Sequence, residues 1–334
     1  MKRITLRELA QALNMSISTV SRALSDHPDI SESTKEKVRE ASALYNYKPN
    51  LRARYLRTKS SGLVALILPE YNMFFIPTLM QSISEVVNKH NYSLLVFQSD
   101  DSFEKELDII DYCNQISVDG ILLSLSNGFN KDEDLKELSS DNAPIVLLDK
   151  VLPNLKMSCV SVEGDEISQR AVSYLRKKGH KHIGGVFADP GISISQNRLK
   201  GFTEAIEDYG DLQGYVLSLE NVNETDRELT RFLKEFPEIT ALYVMSDEIA
   251  MRVYHCLNKL NVKIPDEVSV ISISDGSLPR LLHPNITHFY HSAAEIGKRA
   301  AETLFHVLKS KSAEIENISI ECQLVELDSV KDLK

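Results

Sequence analysis

The chain has 334 residues, of which 43% are hydrophobic and 26% charged, with a net charge of −10. That is ordinary globular composition, long enough for two or three domains, and it excludes wholesale disorder, collagen-like repeats and Pro-rich tracts. The charge is uneven: residues 1–60 carry 12 Lys/Arg against 6 Asp/Glu, and between Glu40 and Glu70 there is no acidic residue at all. A basic head on an acidic body points to a head that meets a polyanion and a body that does not.

Thr5-Leu6-Arg7-Glu8 has the form of a capping box, a hydroxyl at the N-cap and a carboxylate three residues on. The helix it opens carries Leu6, Leu9, Ala10 and Leu13 at helical spacing. Asn14 follows, a residue that tolerates the left-handed backbone of a tight turn. Ser16 caps a second predicted helix, Ile17 to Leu24, with Val20, Ala23 and Leu24 turned inward. Ser31 caps a third, reaching about Tyr45, with Val38, Ala41 and Leu44 on its buried face. Three short helices with a four-residue turn between the first two are a helix-turn-helix domain. The polar face of the second helix holds Ser16, Ser18, Thr19, Ser21 and Arg22, with no Glu or Lys. Short hydroxyls let a helix approach phosphates, and an Arg suits guanine O6/N7. This face is therefore expected to touch DNA.

The segments SISTVSRAL, DISESTKEKV and NYKPNLRARYLRTK resemble the DNA-binding headpiece and hinge of the lactose/galactose repressor family of bacterial transcription regulators. The likeness runs ungapped from about Ile4 to Lys59. It implies that Ile17, Ser18 and Arg22 hold the base-reading positions of the recognition helix. It places Thr5, Ser16, Thr19, Ser21, Ser31 and Thr34 at phosphate contacts. Ile17 offers only an apolar surface and Ser18 is short, so Arg22 is expected to carry most of the base discrimination.

Beyond Pro49, Asn50 can cap a short helix to Arg57 in which Asn50, Ala53 and Leu56 share one face. A helix this short is unstable alone. The resemblance implies that two such hinge helices pair in the minor groove and that Leu56 wedges a base step open.

From Gly62 onward short apolar strands alternate with amphipathic helices. LVALILP (63–69), SLLVF (93–97), GILLSL (120–125) and PIVLLD (144–149) form one series. GGVFA (184–188), YVLSL (215–219), ALYVM (241–245) and VSVISI (268–273) form a second. Continuous apolar strands separated by helices mean parallel sheet buried on both faces, and two series mean two doubly wound α/β subdomains. A ligand of such a fold sits outside the carboxyl ends of the strands. VDGILLSL, GHKHIGGV, NRLKGF, VKIPDEVSVISISDG, LHPNIT and AAEIGKRAAETL resemble the same family's effector-binding core, akin to periplasmic sugar-binding proteins. The expected division is a headpiece at 1–47, a hinge at 48–61, a core at 62–327 and a tail at 328–334. Subdomain one covers about 62–160 plus 292–322, and subdomain two about 161–291 plus the tail.

The cleft departs from the family pattern. Met73 and Phe74 stand where the pattern has Asn and Pro, while Phe75 matches an aromatic that lines the cleft. The family's ligand-gripping Arg is expected at Gln196, two residues before the Arg of NRLKGF. Its Asn, Asp and late Gln are Ser246, Ser274 and His291. A charged Arg–Asp clamp is therefore expected to be absent, and Phe75, Gln196, Ser246, Asp275 and His291 are the cleft candidates.

No dinucleotide, Walker A, nucleophile-elbow or zinc-protease motif is present, so no enzyme activity and no cofactor are called for. His180 and His182 form an H-x-H that lacks further ligands nearby. Asp100 and Asp101 are read as helix caps before FEKELDII. Cys113, Cys159, Cys256 and Cys322 are widely spaced and read as reduced thiols. The N-terminus lacks an apolar signal core and no apolar run approaches the roughly 20 residues of a membrane span, so a cytoplasmic protein with no membrane partner is expected.

The expected function is a sequence-specific repressor, homodimeric on a palindromic double-stranded DNA operator and controlled by a small-molecule effector of sugar or sugar-derivative type. The rival readings are a solute-binding protein or a cytoplasmic α/β enzyme with an incidental N-terminal helical domain. Within the regulator class, an interacting protein could set the state instead of a metabolite.

Overall fold

A computed structural model describes residues 4–47, 60–71, 74–126, 143–151, 157–189, 193–310 and 314–334, and the chain divides into two compact units, residues 1–62 and 63–334. The predicted hinge residues Asn50, Ala53 and Leu56, and Met73, lie outside the described residues.

The first unit holds α1 (Leu6–Ala12), α2 (Ile17–Leu24) and α3 (Glu32–Leu44). Each begins where a side chain satisfies a backbone N–H that has no partner within its helix. Thr5 closes a complete capping box with Glu8, Ser16 accepts from the Thr19 N–H, and Ser31 accepts from the Thr34 N–H. Asn14 takes a left-handed φ of 51° in the turn between α1 and α2, as its side chain permits. Leu9, Ala10, Val20, Ala23, Val38 and Ala41 are buried together and form the core. Leu44 was expected on that buried face but is 79% exposed. It sits at the last position of α3, and Tyr47, beyond the helix end, packs against the core.

The second unit contains two six-stranded sheets. The first has the order β11-β5-β4-β3-β1-β2 and the second β12-β10-β9-β8-β6-β7. In the first sheet, β1 (Leu63–Leu68) lies between β2 (Ser93–Gln98) and β3 (Gly120–Leu123), followed by β4 (Ile145–Leu148), β5 (Cys159–Ser161) and β11 (Asn317–Ser319), all parallel. Its central strands β1, β3 and β4 are apolar throughout because both faces are covered. Val64, Leu66 and Leu68 point to the core shared with α4 (Ile76–Lys89) and α10 (Ala293–Lys309). Ala65 and Ile67 point to the opposite core, with Phe103, Ile110 and Cys113 of α5 (Phe103–Gln115). Alternate residues of one strand thus serve two cores, the mark of a doubly wound layer.

The second sheet is built from β6 (His182–Phe187), β7 (Gln213–Ser218), β8 (Ala241–Val244), β9 (Ser269–Ser274) and β10 (Thr287–Tyr290), which are parallel, and an edge strand, β12 (Gln323–Val325), which is antiparallel to β10. Its helices are α6 (Gly164–Lys177), α7 (Ser193–Tyr209), α8 (Thr225–Glu235) and α9 (Asp247–Lys259). Helices α6 and α7 pack closely through Gly201, where a Cβ would run into the Asp165 carbonyl. Gly201→Ala should therefore force α6 and α7 apart. Overpacking of this kind costs about 1–3 kcal/mol, read as a lowered urea midpoint at unchanged slope.

The chain passes between the sheets after β5, after β10 and between β11 and β12. Cys113, Cys256 and Cys322 are buried, and the Cys159 thiol is half-buried against the Asn317 amide oxygen. Among the described residues no helix is long and apolar enough to cross a membrane.

Candidate functional site

The first candidate site is the outer face of α2. Helical spacing turns Val20 and Ala23 inward and leaves Ile17, Ser18, Ser21 and Arg22 on the opposite side. Ile17 is 44% exposed, an apolar residue kept on a surface. Arg22 is exposed, and among the described residues its guanidinium has no hydrogen-bond or ion-pair partner. At the start of the helix the Ser16 hydroxyl lies 2.8 Å from that of Ser18 and 2.7 Å from that of Thr19. A similar group stands at the start of α3, where the Ser31 hydroxyl is 2.9 Å from that of Thr34. Thr5 gives its hydroxyl to Glu8 at the start of α1. Helix N-termini with hydroxyl donors are suited to phosphate oxygens.

The scaffold behind this face is braced by charge. The stem of Lys35 is buried, and its ammonium reaches Glu32 at 2.8 Å and Asp26 at 3.0 Å. Arg39 also reaches Asp26 at 3.0 Å. The hydrogen bond from Lys35 holds the Asp26 carboxyl below its usual range. These cations are already engaged with carboxylates, unlike Arg22.

The second candidate site is a cleft of about 490 Å³ in the larger unit. It lies where the carboxyl ends of the strands open: Pro69 follows β1, Asp149 and Lys150 follow β4, Ala188 follows β6, and Met245 and Ser246 follow β8. Phe75, Ser246 and His291 line it. The rings of Phe75 and His291 meet edge to face at 6.0 Å. Burial, with the Arg198 charge next, pushes the His291 imidazole down to about 3, so it is neutral at physiological pH. Its Nδ1 is buried with no hydrogen-bond partner among the described residues. Ser246 also caps α9, accepting from the Ile249 N–H.

Gln196 and Asp275 do not line this cleft. Gln196 is an exposed residue of α7, two positions from Arg198. Two positions rotate a helix by roughly 200°, so when Ile194 and Arg198 face the cleft Gln196 faces away. Asp275 accepts from the Ser277 N–H in a turn, and its own N–H donates to Asp247 Oδ2 at 3.3 Å.

Two charged side chains that the sequence reading did not name also line the cleft. Arg198 and Asp247 both line the cleft and both are only 6% exposed. Arg198 Nη1 donates to the Met245 carbonyl, and its Nε has no partner among the described residues. Asp247 Oδ2 accepts from the Ser274 hydroxyl at 2.8 Å, while Oδ1 has no partner among the described residues. Burial pushes the Asp247 carboxyl up to about 7, with the Asp275 and Glu248 charges adding to it. Burial also raises the Asp149 carboxyl. Across the cleft, the Phe74 N–H donates to Glu248 Oε1 at 3.0 Å. Arg198 lies two positions from Gln196 and Asp247 one position from Ser246, and spacing along a motif does not show which side of a helix faces a crevice.

The remaining motifs are structural. His180 is buried, with Nδ1 at 2.9 Å from the Thr240 hydroxyl and Nε2 at 3.1 Å from the Lys331 carbonyl. His182 Nδ1 lies 2.9 Å from the Tyr215 hydroxyl. Both rings are committed to neighbours, and among the described residues no cluster fit to hold a metal ion occurs. Asp100 and Asp101 are not the cap of α5. Ser102 is, accepting from the Lys105 N–H, and both aspartates take left-handed backbone. Asp100 instead pairs with Lys105 at 2.6 Å.

Comparison with known proteins gives two matches of description. Residues 5–50 match "Bacterial regulatory proteins, lacI family", and residues 172–330 match "Periplasmic binding protein-like domain". The chain is similar to a ribose operon repressor of Halalkalibacterium halodurans, 25% identical over 328 residues and covering 98% of this chain and 97% of the other. Among solved structures it is similar to the lac repressor dimer bound to operator and the anti-inducer ONPF, with a TM-score of 0.87 and 19% identity over 99% of this chain and all of that one. It is also similar to the transcriptional regulator CelR in complex with cellobiose, with a TM-score of 0.70 and 20% identity over 98% of this chain and all of that one.

Proposed function

This chain belongs to the lacI family of bacterial regulatory proteins, and from that premise we propose how it works: as a cytoplasmic repressor that grips a palindromic operator as a homodimer, one headpiece to each half-site. The observation that carries this reading is the outer face of α2, where an uncommitted Arg22 stands beside Ile17 and a row of short hydroxyls. Arg22 reads a guanine edge, Ile17 and Ser18 make the remaining base contacts, and Thr5, Ser16, Thr19, Ser21, Ser31 and Thr34 hold phosphates. Residues 48–61 form the hinge. The core responds to a small ligand in the cleft, which shifts the population between two subdomain arrangements by its differential affinity for them. The chain is not an enzyme: its polar side chains in the cleft recognise a ligand and do not assemble a nucleophile with a base.

Binding to mixed-sequence duplex tests the polyanion part. Each phosphate neutralised contributes a slope of about −0.9 to the logarithm of affinity against the logarithm of salt. A steep fall with salt is expected, and salt-independent binding contradicts the reading.

The hinge has its own test. Leu56→Ala should remove the wedge that unstacks the central step, an unstacking that costs a few kcal/mol and is repaid by the contacts a bent duplex allows. Specific affinity should fall and the bend seen by gel mobility should shrink. A variant with unchanged affinity and bend contradicts the wedge.

A further inference from the structure

Glu106, in the second turn of α5, is completely buried. Its Oε2 accepts from the Ser126 N–H at 2.8 Å, while its Oε1 has no hydrogen-bond partner among the described residues. That bond holds the chain just past the end of β3. The preceding residue, Leu125, gives its N–H to the Lys150 carbonyl at 3.2 Å. Glu106 and Lys150 therefore flank the same two residues, one through its side chain and the other through its main chain. A buried oxygen without a partner is costly, and a charged one more so.

Burial pushes the Glu106 carboxyl up to about 7. The Ser126 amide and hydroxyl oppose the rise, the Asp101 charge adds to it, and the Lys150 charge opposes it. Asp101 comes from the turn before α5 and Lys150 from the turn after β4. The chain after β3 brings only Ser124 and Ser126 as polar groups, and Glu70, after β1, is exposed. On α5 itself Glu104 is engaged with Ser102, and Lys105 pairs with Asp100. Asp149, next to Lys150, faces Arg198 and Glu248.

Lys150 thus stands between two acids. Its ammonium lies 3.7 Å from Asp101 Oδ1, too long for a hydrogen bond, and its side chain is only 10% exposed. Asp101 and Lys150 both line the cleft, whereas Glu106 does not. We propose that the proton on Glu106 decides the partner of Lys150: while it is bound the ammonium pairs with Asp101 at the cleft wall, and when it is lost the ammonium turns inward to Glu106 Oε1. The proton goes to water and Lys150 stays charged throughout. Its flexible four-carbon stem allows the exchange. The cleft wall then loses a positive charge without any change in the lysine itself. This switch belongs to the charges around α5 and does not depend on what the headpiece or the cleft binds.

Stability carries the first sign of it. A carboxyl raised above its unfolded value of 4.5 contributes fully below that value, and the contribution is lost as pH rises through 7. Between pH 6 and pH 8 the loss amounts to about a tenfold rise in the unfolding constant. Burial raises Asp247 as well, but that loss is common to every variant below and cancels in the comparison.

The experiment is urea unfolding of the full chain at pH 6 and pH 8, arranged as two double-mutant cycles that pair Lys150→Gln with Glu106→Gln and with Asp101→Asn. Gln at position 106 keeps an oxygen for the Ser126 N–H and carries no charge. The Glu106–Lys150 coupling should reach about fivefold in the unfolding constant at pH 8 and stay below about twofold at pH 6. The Asp101–Lys150 coupling should run in the opposite order, and Glu106→Gln should lose the tenfold pH effect. Equal Glu106–Lys150 coupling at the two pH values, or Asp101–Lys150 coupling that does not fall at pH 8, overturns the proposal. A second measurement needs no change at position 106. With 13C in the glutamate side-chain carboxyls, one signal should titrate near 7 in wild type and higher in Lys150→Gln. A spectrum with no glutamate titrating above pH 6, or a midpoint that Lys150→Gln leaves unmoved, overturns it equally.

Discussion

Arg22→Ala should yield a folded protein that still binds DNA but has lost most of its choice among sequences. Arg22 is exposed and packs into no core, so its removal leaves the headpiece intact. A bidentate Arg–guanine contact discriminates by about 1–3 kcal/mol. A dimer makes that contact in both half-sites, so the operator should lose between roughly 30-fold and 10⁴-fold relative to mixed sequence. Non-specific affinity at low salt should change little, since most of it comes from the other phosphate contacts. Competition binding with operator and mixed-sequence duplex reads the ratio directly. A variant that keeps the wild-type ratio would move the discrimination to Ile17 and Ser18.

Leu9→Ala should abolish DNA binding by a different route. Leu9 is fully buried in the small core shared by the three headpiece helices. Truncating a buried leucine costs about 2–5 kcal/mol. A unit of this size has only a few kcal/mol of stability, at roughly 0.05–0.15 kcal/mol per residue. Most headpieces should therefore unfold while the core of residues 63–334 stays folded. Hydrogen exchange checks this in the full chain, with protection lost over α1 to α3 and kept in β1, β6 and β8. Retained protection in α1 would show that the headpiece draws its stability from somewhere other than this core.

The two variants separate recognition from folding. One removes an exposed side chain of the headpiece surface, and the other removes a side chain buried in the headpiece core. Both end in lost repression, but only Leu9→Ala should change the exchange pattern.

The helices of the headpiece were legible because their starts are local chemistry. Thr5, Ser16 and Ser31 cap as their hydroxyls and positions dictate, and Asn14 turns the chain as its short amide allows. The main strands were legible because central strands such as β1, β3 and β4 are covered on both faces and run apolar, while the edge strands β2 and β7 and the serine-bearing β9 still keep an apolar majority. The strands β5, β10, β11 and β12 were not. They are three or four residues long, and β5 and β11 alternate polar residues with a single apolar one. Such segments become strands only by pairing with a neighbour: β10 with β9, β12 with β10, β5 with β4 and β11 with β5.

The cleft was half legible. Phe75, Ser246 and His291, named from the family pattern, line the cleft, whereas Asp275, which directly follows β9, does not. Arg198 and Asp247 were missed. Arg198 lies within α7, where a displacement of two residues reverses the facing, and Asp247 is the immediate neighbour of a residue that was named. Leu44 shows the same limit from the other side. Its spacing from Val38 and Ala41 is that of a buried stripe, but the stripe outruns the core it was meant to cover.

Selection of bound duplexes from a random pool by the full-length protein, at moderate ionic strength, tests the central claim most directly. The account predicts enrichment of one two-fold symmetric sequence, with a guanine in each half that Arg22→Ala no longer selects. A pool that emerges without any common sequence would contradict it.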